Sequence, residues 1–261
     1  MHDVSISRRR TFGVLGGAAL LASVPQTVLA GSKASKVDGL APGAAILSEL
    51  SKRLADAPRR RSFAKVPFMI DRSELWDHEA SALVLGYRGT RTQVWESTDI
   101  AAPWLNLMRE AMNGQAFAHG HADFLAVAAV HGTAHLALFG QEMWTKYDLA
   151  ANIGGKPAEN VFLRETSGVS PSDDRQKTGG FYGPGNNNIA SLQRRGAVMV
   201  ACHDSIHAIA RGLVAKQGGG DADVIAADLT NNLIPGAVLV PSVVAYLIEL
   251  QHVGFTYAKG S

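Results

Sequence analysis

The chain has 261 residues, 46% of them apolar and 18% charged, with 25 lysines and arginines against 23 aspartates and glutamates. So even a charge balance excludes a surface built to hold nucleic acid or anionic lipid. A single cysteine, Cys202, excludes an internal disulfide, so the thiol is packed, paired between subunits or available.

The first thirty residues read as a leader. Ser7-Arg8-Arg9-Arg10-Thr11-Phe12 resembles the twin-arginine export signature, an apolar stretch follows, and Val28-Leu29-Ala30 offers a cleavage point. The apolar run from Phe12 to Val24 is shorter than the roughly 18 to 20 residues a spanning helix needs. The expectation is therefore a periplasmic protein, cut after Ala30, with no membrane span in the mature chain. The leader carries three arginines and one aspartate, so its removal leaves 22 basic and 22 acidic residues. Residues 31–90 then form a mostly helical extension, and residues 91–259 an α/β domain.

Within the extension, Ile46, Leu47, Leu50 and Leu54 have amphipathic helical spacing. Phe63 to Ile70 and Ala82 to Leu85 read as short strands. Gln93–Glu96 predicts a strand and Ala101–Asn113 a helix. Asp123 to Val130 is a continuous apolar run, as in a strand buried on both faces, and it stops at His131-Gly132. Thr133 to Tyr147 reads as one helix. Residues 150–188, rich in Gly, Pro, Asn and Ser, form a connection too long to be ordinary. A short helix at Ile189–Arg194, a strand ending at Cys202 and a helix to about Lys216 follow. The tail reads as a helix or turn at Ala222–Asn232, a strand at Gly236–Val240, a helix at Ser242–His252 and a short strand at Phe255–Tyr257.

Strands alternating with helices imply right-handed crossovers, hence a doubly wound, mostly parallel sheet with helices on both faces. Ligands gather at the carboxyl ends of such strands. Three groups fall there: His131-Gly132, Cys202-His203 and Pro241-Ser242. His131, Gly132, His203 and Ser242 are therefore candidate site residues beside Cys202. No glycine-rich dinucleotide fingerprint or phosphate loop is present, and no cofactor is expected.

Cys202 falls where a strand gives way to a helix, a position whose unpaired N–H groups favour a thiolate. His131, from a neighbouring strand end, is placed to assist, while Asp204 opposes. His131 and His135, like His203 and His207, are four residues apart, and with Cys202 they compose a conceivable metal-ligand set. Trp95, Trp104, Trp144 and Tyr147 read as packing residues, His119 and His121 as solvated loop residues, Asn186–Asn188 as a turn and helix cap, and Arg194 and Arg195 as surface charges.

The tail Ile234-Pro235-Gly236-Ala237-Val238-Leu239-Val240-Pro241-Ser242, continuing to Leu250-Gln251-His252-Val253-Gly254-Phe255-Thr256-Tyr257, resembles the DsrE/DsrF-like sulfur-relay family, as do His-Gly after one strand and Cys after another. The resemblance covers roughly residues 91 to 259. It implies a small three-layer α/β domain that oligomerises, with Cys202 carrying sulfur as a persulfide. The partners would be small sulfur species or a sulfur-carrying protein. The leader, the long 150–188 segment and a histidine directly after the cysteine depart from the family pattern. Two functions follow as expectations: sulfane-sulfur binding or relay through Cys202 with His131 tuning it, or a non-catalytic oligomeric module that binds a small ligand, a metal or a partner.

Overall fold

The computed structural model describes residues 37–260. The leader read at residues 1–30 lies outside them. Two helices open the described chain, α1 (Ala45–Asp56) and α2 (His78–Leu85). The remainder runs β1 (Thr92–Ser97), α3 (Trp104–Asn113), β2 (Leu125–Val130), α4 (Gln141–Lys146), α5 (Ile189–Arg194), β3 (Val198–Cys202), α6 (His203–Gln217), α7 (Ala222–Asn231), β4 (Val238–Val240), α8 (Val243–His252) and β5 (Thr256–Lys259).

The five strands form one parallel sheet in the order β4-β3-β2-β1-β5. From β1 to β4 the chain steps in one direction, and α3, α6 and α7 pack on the face that holds Trp95, Ala128, Val130, Met199 and Leu239. From β4 to β5 it crosses back over the sheet in the opposite direction. A right-handed crossover run backwards places its helix on the other face. There α8 lies, with α1 and α2, against Val94, Val127, Ala129, Val200, Cys202 and Val240. This is the expected doubly wound α/β fold, and the period-2 alternation assigns Cys202 to the α8 face.

Two expected strands are absent. Ala82–Leu85 belongs to α2, where Ala80, Ser81 and Val84 are buried at helical spacing; four apolar residues in a row do not distinguish strand from helix. Residues 63–70 are irregular. Phe63 exchanges backbone hydrogen bonds with the Asn231 side chain, and Val66 N–H donates to Asp223 O, so this segment's polar groups are met by α7.

The helix read from Thr133 to Tyr147 is two pieces. A 3-10 stretch, Gly132–Leu138, ends at extended Phe139, and α4 begins after Gly140. The break is tertiary: Phe139 bridges Leu233, Ile234 N–H donates to Leu138 O, and Gly140 N–H donates to Asn232 O. Residues 150–188 hold three short 3-10 turns and are fastened by asparagines. Asn160 donates to Ala137 O and Phe139 O, while Asn186 donates to Phe181 O.

The extension covers one edge of the sheet. Asp77, fully buried, exchanges hydrogen bonds with the backbone of Leu239: its N–H donates to Leu239 O and its Oδ2 accepts from Leu239 N–H. Arg61 pairs with the same carboxylate at 2.9 Å, and Arg59 and Arg61 both donate to Ala237 O. An edge strand otherwise offers unpaired backbone to other chains. Residues 59–77 close that edge at β4.

Candidate functional site

Cys202 is the last residue of β3 and the N-cap of α6, as expected. Its own N–H donates to Nε2 of His135 at 3.1 Å. Its Sγ accepts from the N–H of Val243, the first residue of α8, at 3.3 Å. The thiol therefore sits at a helix N-terminus, but that of α8. It is also enclosed. Cys202 is 3% exposed, in the cluster that holds Val200, Val240 and Val243.

His131 does not engage the thiol. The register Val130↔Ala201 brings the residues that follow, His131 and Cys202, to the same level of the sheet. Yet the imidazole turns toward β1, where its Nε2 bonds Oε1 of Glu96 at 3.0 Å. Tyr257 of β5 donates its phenolic proton to the other oxygen, Glu96 Oε2. The hydrogen bond from Tyr257, then that from His131, holds the Glu96 carboxyl below the usual carboxylate range, and the same bond raises the Tyr257 phenol. An ionised carboxylate only accepts, so Nε2 of His131 carries the proton and Nδ1 of the neutral ring is an acceptor. Nδ1 has no partner among the described residues and is not enclosed. Glu96 near the carboxyl end of β1, His131 just past β2 and Tyr257 in β5 thus form an open, pre-oriented polar cluster. A histidine held by a carboxylate is the arrangement used to fix a base or a ligand-accepting nitrogen.

The other candidates have structural contacts. Gly132 has φ +58°, and a Cβ there would lie 2.5 Å from Thr98 O, so glycine is required by the turn. Ser242 caps α8 by accepting from Ala245 N–H. His203 is 1% exposed and bonds Pro67 O at 2.8 Å, and burial lowers its basicity. His207 bonds Asp223 at 2.9 Å and receives Arg211. Among the described residues, no three His, Cys, Asp or Glu side chains are grouped to hold a metal ion, and no helix is long and apolar enough to cross a membrane.

His135 has a role that the reading by spacing missed. It lies in the 3-10 stretch, which extended His131 precedes. Burial drives its pKa down to about 3. The neutral ring accepts the Cys202 N–H, satisfying one of the unpaired donors that start α6. Arg195 likewise departs from expectation: it is buried, bonding Asn113 Oδ1 at 2.7 Å.

Fold and site together define a doubly wound α/β protein with a carboxylate-oriented histidine at the carboxyl edge of its sheet. Compared with family models and with curated proteins, the chain matches none.

Proposed function

We propose that the protein is a DsrE-like α/β module that binds a small polar ligand at Glu96, His131 and Tyr257, with Cys202 serving as a packed residue. The observation that carries this reading is the contrast at one end of the sheet: the sulfur is enclosed by valines and held by Val243 N–H, whereas Nδ1 of His131 is open and its ring is fixed. A ligand with a proton to donate, such as a hydroxyl or an amide, fits that nitrogen.

Sulfane-sulfur relay through Cys202 is the second reading. It is favoured by the hydrogen bond from the α8 N-terminus to Sγ, which suits a thiolate or persulfide. It requires the first turn of α8 to lift from the sheet. Export by the twin-arginine route and assembly with a second copy belong to the same proposal, the former resting on residues 1–30. The latter draws on Val244 and Ile248, which leave an apolar strip on the outer side of α8.

Thiol labelling followed by intact-mass measurement decides between the two. For the binding module, native protein reacts slowly with a thiol reagent at every pH and gains no sulfur from polysulfide, while the unfolded chain labels at once. Rapid native labelling, with a gain of about 32 Da that Cys202→Ser abolishes, establishes the relay and overturns the first reading.

A further inference from the structure

At the opposite end of the sheet, Arg195 stands in a cleft lined by Leu47, Met112, Ala116, Phe117, Ala122 and Phe124. The residue is 6% exposed. Its Nη2 bonds Asn113 Oδ1 and its guanidinium lies against the Tyr182 ring, 5.2 Å from the centroid. No carboxylate pairs with it among the described residues. The acid beside this wall, Asp123, is turned to Leu47 N–H. The neighbouring Arg109 adds like charge, and all three nitrogens of Arg109 are bonded to Asn187, Tyr182, Asn106 and Glu110.

A buried cation without a counter-charge is costly, and a low-dielectric cleft concentrates its field. Arg195 has two further side-chain nitrogens, Nε and Nη1, that make no hydrogen bond among the described residues, and neither is sealed off from solvent. Arg195 lines the cleft, whose mouth is open to solvent. One charged group facing apolar walls is the layout of a site for a small amphiphile.

We propose that the Arg195 cleft binds a short-chain monocarboxylate, the carboxylate on Arg195 and the alkyl tail among Leu47, Met112, Phe117 and Phe124. Chloride supplies the charge without the tail, and a longer chain buries more apolar surface. The site is separate from the Glu96–His131–Tyr257 cluster and does not rest on the function proposed there.

Calorimetric titration of the full chain with acetate, propionate and butyrate tests it, with chloride as control. Saturable binding is expected, tightening about fourfold for each added CH₂. Arg195→Met and, independently, Ala122→Leu, which fills the cleft and leaves the guanidinium in place, are each expected to remove it. Absence of binding to wild type, affinity for chloride equal to that for butyrate, or binding that survives Ala122→Leu would overturn the proposal.

Discussion

The backbone N–H of Cys202 donates to Nε2 of His135 at 3.1 Å, so the start of α6 depends on an imidazole that stays neutral. Burial lowers that ring from its ordinary 6.5 to about 3. Between those values the unfolded chain binds a proton that the native state does not. Stability from this group is therefore complete above about pH 6.5 and is lost as the pH falls toward 3, by at most about 1.4 kcal/mol per pH unit. Urea unfolding across that window should show the slope. His135→Leu should lower stability at neutral pH by about 1–3 kcal/mol, through the orphaned N–H, and flatten the acid limb.

Asp77 is the second position where one side chain carries much of the architecture. It is fully buried and joins Arg59 and Arg61 to the backbone of β4. Asp77→Ala removes the counter-charge of Arg59 and Arg61 and the acceptor of the Leu239 N–H. A loss of about 3–5 kcal/mol is expected, with hydrogen exchange at the Leu239 amide accelerating before that of the central strands. Unchanged protection at Leu239 would show that residues 59–77 do not cover this edge.

Gly132→Ala tests the turn that follows β2. At φ +58° with Thr98 O in the way, a methyl group forces the backbone to shift. The variant should lose about 1–3 kcal/mol and displace His131, which caps the same turn. A thermal midpoint equal to that of wild type would refute this account of the glycine.

Glu96→Gln separates the polar cluster from the rest of the sheet. The carboxylate raises the Tyr257 phenol, so its neutral replacement should shift Tyr257 ionisation to lower pH in an ultraviolet titration. The same variant turns one of the two carboxylate oxygens into an N–H₂ donor, so His131 Nε2 and Tyr257 cannot both keep an acceptor there, and any ligand held at Nδ1 should bind more weakly.

The central strands were legible because a strand covered on both faces must be apolar throughout: Leu125–Val130 and Val198–Cys202 have no alternation to confuse. Helix α5 was readable from its cap, since Asn188 accepts from Ser191 N–H. What failed was local reading against distant partners. Phe139 and Gly140 have nothing in their own neighbourhood that stops a helix; residues 232–234, almost a hundred positions later, pair with them instead. The strand end places His131 level with Cys202, but the turn of its ring toward Glu96 on β1 is set by a partner some 35 positions earlier. Arg195 looked like a surface charge because sequence does not reveal that Tyr182 and Asn113 close over it.

Strand β5 comes after every other element of the sheet in chain order, yet it pairs with β1, more than 150 positions earlier. During synthesis on a ribosome, Thr92–Ser97 must therefore wait with one flank bare until Thr256–Lys259 has emerged. A nascent chain stalled before those residues presents that flank to its neighbours on the same messenger, which makes Thr256–Lys259 a safeguard against tangling between polysomes.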